Sequence, residues 1–420
     1  MSSSPLALAG GQIANNNAPT FLTRNSPNDP NTQPHNPHIS ESMHLKHFIS
    51  KALATLLLLT ASLQADQTRV YFGTNKSAGI YTAQLDTADG TLSPLTLAAA
   101  IKAPGFIALH PNQQFLYATI IGFEKPNTSG VAAFRIKDDG TLDLINTLPS
   151  GGNGACHVSV DATGQSLVLA HYSSGSAAAF KINSDGSLVA TDSLHTHTGS
   201  GEHPKRQKAP HPHSAFIHPN NQFVYVPDLG IDKVMIYRLS AEQGIITPAG
   251  HADVPGGSQG PRHMKFSADG KQAYILNELS PNVATYTVDF ETGQLHYLDT
   301  DAVFSDGNTP EMMTCAEIRL HPNGNFIYTS TRDLNQNGLD MLSTFKRSAD
   351  GSLQLISNTP ASVSVPRNFN IDPSGQWLIV GGQKSSTLAI FAVEPESGAL
   401  TLKQNDIPFD GGAICVEFLK

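Results

Sequence analysis

One short pattern recurs along this chain about every fifty residues, and that repeat limits the possible fold more than any other feature. Its clearest copy runs from Glu317 to Arg332: an alternating strand, a Pro-Asn-Gly turn, then a second strand that ends on a charged residue. Aligned on the fourth residue of that turn, the copies fall at Gln113, Gly164, Asn221, Gly270, Gly324 and Gly375, which are 51, 57, 49, 54 and 51 residues apart. Each copy continues into a third alternating strand, at Val131–Ile136, Ala177–Ile182, Val234–Arg238, Val283–Val288, Leu342–Lys346 and Leu388–Val393. An Asp-Gly-type turn and a fourth strand complete the unit. Four antiparallel strands per unit, with no long helical periodicity, predict an all-β propeller.

The chain enters this repeat part-way through a unit. Val70–Asn75 matches a second strand, Gly79–Leu85 a third, and Asp89-Gly90 the last turn. The missing first strand is supplied by Gly412–Phe418 at the other terminus. Six complete units and one shared between the termini predict seven blades. Pairing the two terminal strands closes the ring and leaves no open seam.

Residues 66–420 account for the propeller, and what precedes them reads differently. Residues 1–42 are rich in Asn, Pro and Ser without apolar periodicity, and are expected to be disordered or an upstream extension of the reading frame. Residues 43–65 have the form of a signal peptide: His44, Lys46, His47 and Lys51, then the apolar run Ala52–Ala61, then small residues ending at Ala65. Ten apolar residues do not span a bilayer core of about 30 Å. The expected location is therefore periplasmic or secreted, with cleavage after Ala65.

The formal net charge is −9, with no basic run, which argues against nucleic acid and anionic membrane surfaces as partners. Three cysteines, Cys156, Cys315 and Cys415, are too few and too scattered for a disulfide frame. No zinc-ligand spacing occurs, and although His211-Pro212-His213 sets two imidazoles close together, no Asp or Cys joins them. No metal or other cofactor is expected, and the expected assembly is a monomer or weak homodimer.

With the blades in register, one structural position can be compared in every unit. Residues closing the second strand are Asn75, Ile121, Tyr172, Leu229, Glu278, Arg332 and Gln383. Pairs at the entry to the first strand are Gly105/Phe106, Cys156/His157, His213/Ser214, Arg262/His263, Ala316/Glu317 and Arg367/Asn368. In a propeller the first strand lines the central channel, so both columns converge on one end of it. Arg262, Arg332 and Arg367 around Glu278 and Glu317 suggest a site for a small anion, because guanidinium forks match carboxylate and phosphate oxygens. The competing reading is a set of ion pairs that lock neighbouring blades. His110, His218 and His321 sit in His-Pro-Asn turns at the opposite end and read as turn residues. The polar stretch Thr196–Gln207, which includes Arg206, reads either as a cover over the site or as a solvated insertion.

Several of these segments carry a resemblance. His211-Pro-His213-Ser, Gly260-Pro-Arg262-His263, Asn277-Glu278-Leu, Ala316-Glu317-Ile and Pro366-Arg367-Asn368-Phe369 are similar to the seven-bladed propeller lactonases. That family includes propeller-type 6-phosphogluconolactonases and carboxymuconate lactonizing enzymes, and the resemblance covers residues 68–420. It implies catalytic roles for His213, Arg262, Glu278 and Arg332. The expected assignment makes Glu278 the general acid/base, Arg262 and Arg332 the charge-stabilising groups, and His213 a proton relay. Arg367, Gln383, His211, His157, Glu317 and His263 are the expected substrate-binding residues. The implied reaction is hydrolysis of a small anionic sugar lactone, with a muconate-type cycloisomerase or an exported binding scaffold as alternatives. Thr331 before Arg332 and Gly382 before Gln383 replace the Asn usual in relatives, which leaves the charges in place but bears on substrate choice.

Overall fold

Strands that alternate apolar and polar residues must bury one face each, and this chain buries them blade against blade. The computed structural model describes residues 67–74, 76–305, 309–409 and 411–420. The proposed signal segment and the upstream stretch lie outside the described residues, as does Asn75. Among the described residues the chain forms 28 strands, β1 to β28 in order, grouped into seven four-stranded antiparallel sheets. The seven-bladed expectation holds. The sheet that closes the ring has the order β28-β1-β2-β3, with β28 (Ala413–Phe418) paired antiparallel to β1 (Gln67–Thr74).

The innermost strands are β4 (Pro104–Leu109), β8 (Ala155–Val160), β12 (Phe216–Ile217), β16 (Pro261–Phe266), β20 (Met313–Leu320), β24 (Pro366–Ile371) and β28. They neighbour one another in a closed ring around the channel. β12 is only two residues long, and the prolines Pro210 and Pro212 just before it lack the N–H that a longer ladder needs.

Two side chains recur as ties between consecutive blades. The hydroxyl of the second-strand tyrosine donates to the turn-glycine carbonyl of the next blade, from Tyr71 to Gly140, Tyr117 to Gly186, Tyr225 to Gly293, Tyr274 to Gly351 and Tyr328 to Gly398. The histidines of the His-Pro-Asn turns do the same at the channel end where the inner strands finish. His110, His218 and His321 donate from Nε2 to the carbonyls of Gly164, Gly270 and Gly375, while each Nδ1 accepts a backbone N–H two residues on. Each bond contributes about 1 kcal/mol, and a φ of 72° at Gly164 and Gly270 and 79° at Gly375 keeps the receiving turns open to them. These histidines are structural, as the repeat implied.

Candidate active site

The inner strands begin with a fault in their ladders. In β16 the pairing passes from Pro261 opposite Asn277 to His263 opposite Leu276, which leaves Arg262 as an extra residue. The same bulge leaves out Cys156 in β8 and Arg367 in β24. A bulge re-aims side chains. Here it lets the successive residues Arg262 and His263, and likewise Arg367 and Asn368, line one narrow gap inside the ring.

Glu278 follows β17 (Gln272–Asn277) and is held by a bond from its N–H to the Gly260 carbonyl. Its carboxylate is 3% exposed and collects three guanidiniums. Arg262 Nε lies 2.8 Å and Arg332 Nη2 3.1 Å from Oε2, and Arg206 Nη2 donates to Oε1 at 2.7 Å. Arg262 donates in turn to the Ala316 carbonyl, and Arg332 to that of Cys315 at 3.0 Å. Arg367, half-buried beside them, makes no ion pair or hydrogen bond among the described residues. Arg206, Arg332 and Arg367 line, with Glu278, a cavity of about 390 Å³ whose wall also includes Tyr172, Cys156 and His213, and Arg262 backs the carboxylate from the adjoining gap.

The charges set one another's protonation. Burial alone would raise the Glu278 carboxyl, but Arg332 and Arg262, then His213 and Arg206, hold it well below the usual carboxylate range. Burial, with Arg332 and Arg367 nearby, pulls Arg262 down to about 9, so the guanidinium stays charged at neutral pH. Burial and Arg262 keep His213 well below its ordinary value and therefore neutral. Its Nε2 faces Glu278 Oε2 across 3.9 Å, and its buried Nδ1 has no hydrogen-bond partner among the described residues. Burial pushes the Cys156 thiol up to about 12, which leaves no thiolate nucleophile here.

The structure thus brings Glu278, Arg262, Arg332, His213 and Arg367 together. Gln383 lies beside Arg367 in an adjoining pocket of about 150 Å³. His211 stacks on Tyr172 at 4.5 Å between centroids, and its Nδ1 donates to the Tyr172 carbonyl at 2.9 Å. His157, His263 and Glu317 lie deeper in the channel. Glu317 is fully buried and receives His263 Nδ1 at 3.1 Å and Asn368 Nδ2, with Arg319 Nε 3.6 Å away. The expected acidic pair of Glu278 and Glu317 is therefore split between two layers, each with its own cations.

Tyr172, a member of the second-strand column, and Arg206, which the repeat does not mark, complete the site. Arg206 arrives on the insertion before β12, which packs over this end of the channel. That insertion is pinned by buried Gln207, whose Nε2 donates to the Leu229 carbonyl and Asp232 Oδ1, and by Asp228, which bonds His197 at one end and the His211 N–H at the other. An insertion has no counterpart in the other blades, so no column of the repeat could mark Arg206; its charge within the His-rich stretch was the only signal.

Comparison with known proteins fits this arrangement. The family model described as a lactonase with a seven-bladed beta-propeller matches residues 69–418. The 6-phosphogluconolactonase of Bacillus subtilis strain 168 is 34% identical over 82% of this chain and 95% of its own length. A solved structure of a Lactobacillus plantarum protein superposes with a TM-score of 0.76 at 33% identity, covering 84% of this chain and 100% of that one. The periplasmic gluconolactonase of Pseudomonas aeruginosa superposes with a TM-score of 0.77 at 27% identity, over 84% of this chain and 99% of that one. The chain belongs to the seven-bladed β-propeller lactonase family of carboxylic ester hydrolases.

Proposed function

We propose that the protein hydrolyses a small anionic sugar lactone, of the 6-phosphogluconolactone type, in the cavity above Glu278. The observation that carries this reading is the set of four guanidiniums around one ionised carboxylate, with Arg367 unpaired. A net positive, mostly buried pocket attracts an anion and stabilises charge that develops on a carbonyl oxygen. In this scheme Arg367 and Arg206 take the substrate's anionic group. Arg262 and Arg332 face the lactone carbonyl.

His213 carries the proton. A neutral imidazole accepts one proton from water as the water oxygen bonds to the lactone carbon, and the carbonyl oxygen becomes an oxyanion held by the guanidiniums. When that intermediate collapses, the bond from the carbon to the ring oxygen breaks, and the imidazolium returns its proton to the leaving alkoxide. The products are a hydroxy acid and, after ionisation, one released proton. Glu278 stays ionised throughout, because a carboxylate whose pKa is held so low is a weak base with no proton to donate at neutral pH; it fixes the guanidiniums and stabilises the transient imidazolium. This shifts the acid/base role that the sequence placed on Glu278 to His213.

Export belongs to the same proposal. The segment 43–65 has the order of a signal peptide, and a periplasmic relative shares the fold. Proton release measured on 6-phosphogluconolactone and on uncharged gluconolactone tests the substrate class. A higher kcat/KM on the phosphorylated lactone supports the reading; equal rates on both overturn the role given to the arginines.

A further inference from the structure

The channel is closed midway by packed rings. Phe106 and His157 stand 4.3 Å apart between centroids, His157 and Phe216 4.6 Å, His157 and His263 5.3 Å, and Phe216 and His263 6.0 Å. Burial, with neighbouring cations and imidazoles, holds both histidines well below their ordinary pKa, so the plug is uncharged. Below it, toward the finishing ends of the inner strands, lies a second cavity of about 410 Å³, as large as the one above Glu278. Phe106 and Phe216 form its apolar wall, and Lys265, Arg319, Ser159 and Glu417 its polar one.

The charges in this lower chamber are unevenly matched. Arg319 Nη2 donates to Glu417 Oε1 at 3.0 Å, and Asn370 Nδ2 donates to the other oxygen at 3.3 Å, so the Glu417 carboxylate is engaged on both sides. Arg319 Nε, buried and 3.6 Å from Glu317, makes no hydrogen bond. Lys265 has no carboxylate within ion-pair distance and no hydrogen-bond acceptor among the described residues; its ammonium sits 4.2 Å over the Phe216 ring. Burial and Arg319 draw that ammonium down to about 8, against the opposing pull of the Glu317 and Glu417 carboxylates. Beside it, an aromatic wall offers a surface for carbon. A half-buried ammonium next to a guanidinium, in a cavity of this volume, is the electrostatic complement of a small organic or inorganic anion.

We propose that the lower chamber is a second binding site, separated from the lactone cavity by the Phe106–His157 plug, for a small carboxylate or phosphate anion held by Lys265 and Arg319.

The test reads Lys265 directly in the full-length wild-type protein. Acetylation at pH 8 is followed by peptide mass spectrometry without ligand, with inorganic phosphate, and with gluconate. With an anion at about four times its dissociation constant, mass action predicts about fivefold slower labelling of Lys265. Exposed Lys271 serves as the internal control and keeps its rate. Protection by phosphate alone identifies a phosphate site, and protection by gluconate alone a carboxylate site. Calorimetry adds a second reading: Lys265→Met loses one anion per chain relative to wild type and keeps its lactonase kcat, while Arg262→Ala retains that anion. Labelling of Lys265 that neither anion slows, or equal anion stoichiometry in wild type and a folded Lys265→Met, overturns the proposal. If Lys265→Met does not fold, the wild-type labelling decides alone.

Discussion

Arg262 and Glu278 stand 16 residues apart in sequence and 2.8 Å apart in space, Nε to Oε2, with both side chains almost wholly buried. A buried pair of this kind is weak evidence for stability, because the desolvation of two charges offsets much of their attraction. Here the carboxylate also meets Arg332 and Arg206, and the surplus of positive charge is what a binding site for an anion requires. The bulge at Arg262 is what aims its side chain into the ring.

Removing that guanidinium should lower turnover sharply. Loss of one donor to a developing oxyanion costs about 3 kcal/mol, so Arg262→Ala should reduce kcat on the order of a hundredfold. Arg262→Lys should not restore it, because an ammonium cannot reach both Glu278 and the Ala316 carbonyl, as the Nε and Nη1 fork does. Steady-state kinetics of both variants check this.

Arg206 should behave differently, since its side chain is 34% exposed and lies on an insertion. Arg206→Ala should leave the melting temperature nearly unchanged and raise KM for an anionic lactone about tenfold, the equivalent of about 1.4 kcal/mol. An uncharged lactone should show little change in KM. Paired kinetics on the two substrates separate the outcomes.

Acid should inactivate and destabilise the protein through histidine. Burial lowers His157, His213 and His263 below their unfolded values. As pH falls below about 6.5, the unfolded chain therefore takes up protons that the native state refuses. The unfolded state then binds more protons, so stability must fall with pH, by at most about 1.4 kcal/mol per pH unit for each histidine. Denaturation midpoints between about pH 6.5 and 4.5 should drop, and replacing His157 by Phe should flatten the slope. The kcat/KM profile should hold through pH 6.5 and fall only at lower pH, as His213 finally protonates.

Glu317 should prove structural. It is fully buried and compensates His263, Asn368 and Arg319, so Glu317→Ala should cost about 3 kcal/mol by leaving the His263 and Asn368 donors without an acceptor and Arg319 with Glu417 alone. Denaturant unfolding should show that loss. The remaining folded fraction should keep most of its kcat.

Much of this molecule was readable in the sequence because a propeller repeats one local problem seven times. The turns, the strand order and the shared terminal blade follow from alternation and turn chemistry, which are local. The convergence of Glu278, Arg262, Arg332 and Arg367 followed from symmetry, because equivalent positions around a ring point at the same axis. Depth along the axis did not follow. Glu317 is the counterpart of His263, one residue beyond Arg262 in the paired column, and the ladder faults in β16 and β20 turn Arg262 to Glu278 while Glu317 sits deeper, against His263. A bulge depends on the register of a partner strand, which no single strand encodes. Arg206 lies outside the repeat altogether, so the sequence marked its stretch as a cover or a solvated insertion without a role for the side chain.

Glu278 and its guanidiniums are the core of the proposed site for lactone hydrolysis. Proton release from 6-phosphogluconolactone, compared for wild type and a correctly folded Glu278→Gln protein, tests it in one experiment. The predicted result is hydrolysis well above the spontaneous rate by wild type and a loss of about a hundredfold or more in the variant. Spontaneous-rate hydrolysis by wild type, or an undiminished rate in Glu278→Gln, would contradict it.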